Sequence, residues 1–183
     1  MLTFITGGGR SGKSDFAEKR ASYYNQKIYI ATALAFDDEM KHRIKEHQKT
    51  RDDSWITIEG YQNIVEDLKI KSQGRDLILL DCLTNLVSNI MLMKPDIDWD
   101  TLSDDAVFKI EEEIKYELKQ ILDFTKKFSG DVIVVSNEVG MGLVPEYPLG
   151  RRFRDISGRM NQYIATASEE AILIVAGLPI KLK

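Results

Sequence analysis

Hydrophobic and polar positions recur along this chain with two different periods. Short apolar runs rich in Ile, Val, Leu and Tyr occur at 2–6, 27–32, 55–59, 76–81, 131–136 and 171–176. Runs of that length, bounded by polar or glycine residues, read as β-strands. Those at 76–81 and 131–136 are almost continuously apolar, as parallel strands buried on both faces are. Between the runs, apolar residues return with the helical period and predict helices over 14–24, 37–50, 64–71, 82–93, 103–128 and 149–170. The longest carries Val107, Ile110, Ile114, Leu118, Ile121 and Leu122 on one stripe, while its acidic residues 111–113 read as a solvated face. In the helix over 37–50, Met40, Ile44 and His47 share one side and His42 lies elsewhere. Strands alternating with helices build an α/β three-layer sandwich with a mostly parallel sheet. Gly177-Leu178-Pro179 then turns the chain into an antiparallel edge strand at 180–183. The polar connection 94–100 lies inside the alternation, so one domain is expected over 1–183.

The first strand runs into Gly7-Gly8-Gly9-Arg10-Ser11-Gly12-Lys13-Ser14. Gly7, Gly12, Lys13 and Ser14 satisfy G-x-x-x-x-G-K-[ST], the phosphate-binding loop of nucleoside triphosphate enzymes. Its glycines let successive backbone N–H groups turn inward on a polyphosphate, and the following helix adds the positive end of its dipole. Lys13 is placed to reach the β- and γ-phosphates, and the Ser14 hydroxyl to hold Mg²⁺. Asp81 closes a buried strand, the position at which P-loop proteins carry the acid that orients the Mg²⁺ shell. A second glycine-punctuated loop, 137–146, follows another buried strand, on the sheet edge that carries the ligand crevice in open α/β folds. Arg151, Arg152, Arg154 and Arg159 come next, on a helix. They read either as a solvated basic face or as bidentate phosphate contacts. Glu138 and Asp155 are positional candidates for a general base.

Composition narrows the partners. Hydrophobic residues at 43% and charged residues at 30% are ordinary for a globular protein, and the net charge of -4 argues against a nucleic-acid binder that works by neutralising phosphates. The single Cys82 excludes an internal disulfide and suits a cytoplasmic protein. No apolar run approaches the roughly 18 residues a membrane span needs.

Further motifs make the picture specific. Beside Ile-Thr-Gly-Gly-Gly-Arg-Ser-Gly-Lys-Ser at 5–14, the chain carries Tyr-Ile-Ala-Thr at 29–32, Asp-Asp-Glu-Met at 37–40, then Arg43, Ile44, His47, Trp55, Thr57 and Glu59, and Asp-Cys-Leu-Thr at 81–84. Most distinctive are Asn-Glu-Val-Gly-Met-Gly-Leu-Val-Pro-Glu at 137–146 and Arg-Arg-Phe-Arg-Asp-Ile-Ser-Gly-Arg-Met-Asn-Gln at 151–162. Over nearly its whole length the chain resembles the bifunctional adenosylcobinamide kinase and adenosylcobinamide-phosphate guanylyltransferase family of cobalamin biosynthesis. The resemblance implies a RecA-like P-loop fold and two reactions. ATP or GTP phosphorylates the aminopropanol hydroxyl of adenosylcobinamide; GTP then transfers GMP to that phosphate and releases pyrophosphate.

The second reaction of the family passes through a guanylylated histidine, which by position is His47. Its pattern alone favours a hydrogen-bonded histidine on a partly apolar helix face, and the resemblance reverses that reading. The family's nucleotide contacts fall on Gly7, Gly8, Gly9, Arg10, Ser11, Gly12, Lys13 and Ser14, on Ala31, Thr32 and Ala33, on Gln48, Lys49, Thr50 and Arg51, and on Glu59 and Asp81. Mg²⁺ is the implied metal, held by Ser14 and Asp81, and a homotrimer is the implied assembly. The chain departs from the family pattern at Glu46, where a second histidine is usual, and at Gly9, where alanine is usual. Two other readings share the phosphate loop: a small-molecule P-loop kinase with no use for His47, and a non-catalytic RecA-like module with Arg151 to Arg159 as a partner interface.

Overall fold

The computed structural model describes residues 1–34 and 51–183. The expected helix over 37–50, with His42, His47, Gln48, Lys49 and Thr50, lies outside them. Seven strands form one sheet: β1 (Leu2–Gly7), β2 (Lys27–Ala31), β3 (Trp55–Glu59), β4 (Leu77–Asp81), β5 (Asp131–Asn137), β6 (Glu170–Val175) and β7 (Leu178–Lys181). Their order is β3-β2-β4-β5-β1-β6-β7. All neighbours are parallel except the β6–β7 pair, which is antiparallel as expected. The described helices are α1 (Lys13–Ala21), α2 (Ile64–Lys71), α3 (Leu83–Leu92), α4 (Asp104–Thr125) and α5 (Pro148–Ala167).

Side chains of a strand point alternately to the two faces of its sheet, and the apolar runs are long enough to bury both. Leu2, Phe4, Ile28, Ile30, Ile78, Leu80, Val132 and Val134 enter one core with Ile64 and Leu68 of α2, Leu86 and Ile90 of α3, Ile114 and Leu118 of α4, and Ile164 of α5. Ile5, Tyr29, Leu77, Leu79, Ile133 and Val135 face the other way, against Ala17 and Ala21 of α1. Each fully buried Leu or Ile is worth about 1.5–3 kcal/mol, so the helical layer over the first face dominates stability. The α4 stripe is buried where predicted, at Ile110, Ile114, Leu118, Ile121 and Leu122. Ser103 caps that helix by accepting from Ala106 N–H at 3.3 Å, and Asp104 and Asp105 sit at the positive end of its dipole.

Several predicted boundaries move, and two of the shifts have a clear cause in the sheet. The last long helix ends at Ala167 rather than 170, because Glu169 N–H donates to Leu2 C=O at 2.9 Å and so already belongs to the ladder with β1. The final strand starts at Leu178 rather than 180. Ala176 and Gly177 both take positive φ, 50° and 79°, which completes a two-residue turn and pairs Val175 with Leu178. Pro179 is tolerated because β7 is an edge strand.

The acidic run at 111–113 is more than a solvated face. Glu111 accepts from Arg159 Nε and Nη2 at 2.5 and 2.8 Å, tying α4 to α5, and Glu113 pairs with Lys94 at 2.5 Å.

Candidate active site

Parity in the strands decides which polar side chains meet. In β4, Leu77 and Leu79 face α1, so Asp81, two residues on, falls on the same face. The same count places Gly7 after Ile5, Asn137 after Val135, and Ala31 after Tyr29, while Trp55 on the α1 side brings Glu59 there too. Register then aligns them along one edge: Ala31 pairs with Glu59 on one side and Asp81 on the other, and Gly7 pairs with Asn137. The sheet's C-terminal edge thus carries phosphate loop, acid and second carboxylate on the face that α1 covers.

The loop itself is built on glycines with specific reasons to be glycine. A Cβ at Gly7 would lie 2.5 Å from Ser11 Oγ and 2.6 Å from Ile174 O. Gly12 has φ of 90° and faces Gly177 Cα, 3.3 Å from where its Cβ would be. That contact and the Gly177 N–H bond to Ser11 C=O at 2.8 Å rest the β6–β7 turn against the phosphate loop. At Gly9 a Cβ meets nothing within 4 Å, so glycine there in place of alanine costs no contact. Lys13 is buried and its Nζ donates to Gly8 C=O at 3.1 Å, while Ser11 Oγ is buried without a partner among the described residues. Both are polar groups a phosphate would engage.

Charges around the edge act on their neighbours. Burial, then the Asp81 carboxylate, pushes the Cys82 thiol up to about 11, with Lys13 working against them. Cys82 is therefore neutral near pH 7 and no nucleophile. Burial and then Asp81 also hold the Tyr29 phenol well above its ordinary value, against the opposing charge of Arg51. The Arg51 guanidinium lies 3.2 Å from the Tyr29 ring centroid, and its Nε is buried without a hydrogen-bond partner among the described residues. Arg51 thus sits on the α1 face of β2, beside the edge.

The remaining candidates divide. Ala31, Thr32 and Ala33 lie at and just beyond the end of β2. Thr32 is internally committed: its hydroxyl donates to Cys82 C=O at 2.7 Å and accepts from Cys82 N–H at 2.8 Å, and its carbonyl accepts from Asn89 Nδ2 at 2.6 Å. The four arginines all have protein partners. Arg151 donates to Pro145 C=O at 3.1 Å and to Glu146 C=O; Arg152 donates to Trp99 and Leu102 carbonyls at 2.9 and 2.6 Å. Arg154 pairs with Asp155 at 2.8 Å and Arg159 with Glu111. Glu138 Oε1 accepts from Gly140 N–H at 2.6 Å. A separate cavity of about 380 Å³ lies between α3 and the start of α5, lined by Met91, Leu92, Pro145, Tyr147, Leu149 and Phe153 among others. It offers no charged side chain and does not suit a polyphosphate.

One group escaped motif reading. Thr84, Ser136, Asn137 and Asn161 form a buried polar chain behind the edge: Thr84 and Ser136 hydroxyls are 3.1 Å apart, and Ser136 donates to Asn161 Oδ1 at 2.6 Å. Asn137 N–H donates to Thr84 Oγ1 at 2.6 Å, and Asn161 Nδ2 donates to Asn137 C=O at 3.1 Å. Thr84, Asn137 and Asn161 all lie inside the motifs quoted above, but nothing in those motifs says that the side chains meet.

A glycine loop between β1 and α1, with an acid at the end of β4, one strand removed on the same sheet edge, makes this a P-loop nucleotide-binding protein. Its sheet and helices resemble a KaiC-like protein from the archaeon Pyrococcus horikoshii OT3, with a TM-score of 0.53 over 94% of this chain and 69% of that one at 10% identity, a likeness of fold alone. The family model for cobinamide kinase / cobinamide phosphate guanyltransferase matches residues 3–182, and the chain belongs to that family. It is 38% identical over 188 residues to the bifunctional adenosylcobalamin biosynthesis protein CobU of Escherichia coli (strain K12), covering all of both chains. It is also 36% identical over 184 residues to CobP of Pseudomonas aeruginosa, bearing the same description, across 100% of this chain and 98% of that one. Among the described residues, no helix is long and apolar enough to cross a membrane.

Proposed function

We propose that this enzyme, acting as one catalytic domain over 1–183, phosphorylates adenosylcobinamide with ATP or GTP. It then transfers GMP from GTP to the product through a guanylylated His47, giving adenosylcobinamide-GDP and pyrophosphate. The observation that carries the reading is the alignment of phosphate loop, Asp81 and Glu59 on one face of one sheet edge. In both steps the chain's task is to bind polyphosphate and neutralise its charge. The N–H groups of residues 7–14 and the α1 dipole cradle the phosphates, and Lys13 exchanges the Gly8 carbonyl for phosphate oxygens. Glu59 accepts from guanine N1–H and N2–H₂, a pair that adenine lacks. Arg51, stacked on Tyr29, presents its guanidinium beside the nucleotide.

No group of three or more metal-ligating side chains occurs among the described residues. Ser14 and Asp81 offer two hard oxygen donors, which suits Mg²⁺, an ion that takes one or two protein ligands and completes its shell with phosphate oxygens and water. When bound it supplies charge neutralisation on the phosphates. His47 serves as nucleophile in its neutral form: an imidazole nitrogen bonds to the α-phosphorus as the bond to pyrophosphate breaks, and the cobinamide phosphate later displaces it. By family resemblance the enzyme works as a homotrimer, and its single cysteine suits the cytoplasm.

The test is intact-protein mass after incubation with GTP and Mg²⁺. Wild type is expected to gain one acid-labile GMP, and His47→Ala none. An unmodified wild type that still binds GTP would refute the transferase mechanism and leave a plain kinase.

A further inference from the structure

We infer that Tyr29 is a positioning residue for guanylyl transfer, its ring holding the Arg51 guanidinium in place for GTP. The inference rests on the nucleotide site described above and adds to it a side chain that touches no phosphate itself.

The ring is fixed from the sheet outward. β2 lies between β3 and β4, so Tyr29 is held by ladders on both sides. Its side chain is buried on the α1 face, at 6% exposure. The Trp55 ring meets it edge-on, with centroids 6.0 Å apart and planes at 77°, an attractive arrangement for two aromatic quadrupoles. Lys27 lies over Trp55 in turn, its Nζ 5.1 Å from the ring centroid, and is anchored by donating to Tyr24 C=O at 3.0 Å. Tyr29 is therefore held independently of Arg51.

Arg51 comes from the segment before β3. Asp52 Oδ1 accepts from Ser54 N–H at 3.0 Å and Asp52 C=O from Trp55 N–H at 3.2 Å, a turn that fixes the backbone beside Arg51. The guanidinium carbon then lies 3.2 Å from the Tyr29 centroid, while Nε is buried without a hydrogen-bond partner among the described residues. A cation over a ring face is attracted by the ring's quadrupole, and its N–H donors stay in the guanidinium plane, where the stack does not use them. A carboxylate partner would occupy those donors. The ring thus orients Arg51, whose long stem otherwise has many rotamers to lose, and leaves it able to meet an anion.

Position says which part of the nucleotide this serves. β2 adjoins β3, which bears Glu59, and stands three strand spacings, about 14 Å, from β1 and its phosphate loop. Arg51 belongs to the half of the edge next to the guanine, where the α-phosphorus is attacked, and the loop's own donors do not replace it.

A double-variant cycle is the test. Tyr29→Leu and Tyr29→Met keep an apolar side chain in the core and remove the ring, Tyr29→Phe keeps the ring, and Arg51→Ala removes the cation. Each, and the double variant Tyr29→Leu with Arg51→Ala, is measured for GTP affinity by calorimetry and for the rate of GMP adduct formation with GTP and Mg²⁺, per folded molecule. The ringless variants are expected to slow the adduct about tenfold, the scale of a desolvated cation–π contact, and Tyr29→Phe to stay within about twofold of wild type. The double variant should match Arg51→Ala within about twofold, because the ring acts only through the guanidinium. GTP affinity should follow the same order. Ringless variants with wild-type rate and affinity would overturn the assignment. So would losses that multiply in the double variant, since they describe a core residue with an effect of its own. Tyr29→Phe as impaired as Tyr29→Leu would overturn it too, by placing the effect on the hydroxyl. A wild type that forms no adduct would refute the transferase reading instead, and the same cycle read in GTP affinity would still decide for or against Tyr29.

Discussion

The two ends of this parallel sheet are both rich in polar groups, and they use them in opposite ways. At the N-terminal end the described charges answer one another. The Met1 ammonium pairs with Asp131 at 2.8 Å, the Tyr24 hydroxyl donates to Asp131 at 2.6 Å, and Arg20 pairs with Glu170 at 2.6 Å. Asp76 accepts from the N–H groups of Asn25 and Gln26 at 3.0 and 2.9 Å. At the C-terminal end the backbone is tied down as thoroughly, through Thr32, Thr84 and Asn161, but Ser11 and Arg51 keep buried polar atoms without partners among the described residues. One end is a structural seam and the other is a surface prepared for an anion. Buried polar atoms in a native fold are normally satisfied, so where they cluster beside a phosphate loop they mark the ligand side.

The sharpest way to break this contrast is at Lys13. Lys13→Ala is expected to lower both activities by about 10²–10³-fold, the scale for removing a charge-stabilising group, while Tm shifts little; kinetics with a parallel melting curve check it. The core on the opposite face should behave the other way. Ile114→Ala removes a fully buried α4 side chain and should cost about 2–5 kcal/mol, read from denaturant unfolding, with nucleotide affinity per folded molecule unchanged. Gly7→Ala should fail in both respects, because its Cβ collides with Ser11 Oγ and the Ile174 carbonyl. Overpacking of this kind costs about 1–3 kcal/mol, and the displaced loop loses nucleotide binding by calorimetry.

The N-terminal seam predicts pH effects of known sign. Burial works against the Asp131 charge, but the N-terminal ammonium and the Tyr24 hydroxyl outweigh it and hold the carboxyl below its usual range. A lowered folded value stabilises the protein above the unfolded value of about 3.9 and is lost as pH falls through the folded one. Asp131→Asn should remove that acid-limb contribution, under about 1 kcal/mol for so exposed a pair. Tyr24 is pushed up to about 12 by burial first and then by Asp131. Its contribution is present below about pH 10 and lost as pH rises to about 12. Thermal melts of Tyr24→Phe between these limits should be flatter than those of wild type. None of these changes should alter the GMP adduct.

Much of the architecture was legible because it depends on local pattern. The apolar runs located the strands to within a residue or two, and the phosphate loop and Asp81 were readable from spacing. What was missed depends on residues far apart in the chain. Glu170 reads as the end of a helix by its neighbours, yet Arg20 and Thr3 bind its carboxylate from 150 and 167 residues away and draw it into β6. The four arginines after the second loop could equally have met phosphate, and only the fold gives them Glu111, Asp155 and four main-chain carbonyls. Gly177 reads as a turn residue, and nothing nearby says that the turn would rest on Ser11 and Gly12.

The sequence by itself determined the elements and the phosphate loop, which rest on periods and spacings a few residues long, and it carried the resemblance to the family in whole motifs such as 137–146 and 151–162. The tertiary structure decided the strand order and the register, and with them the meeting of Gly7, Asp81, Glu59 and Asn137 on one edge. The physical reason is that parity assigns each side chain a face within its own strand, whereas neighbouring strands come from distant segments, and only their packing sets which ends stand side by side.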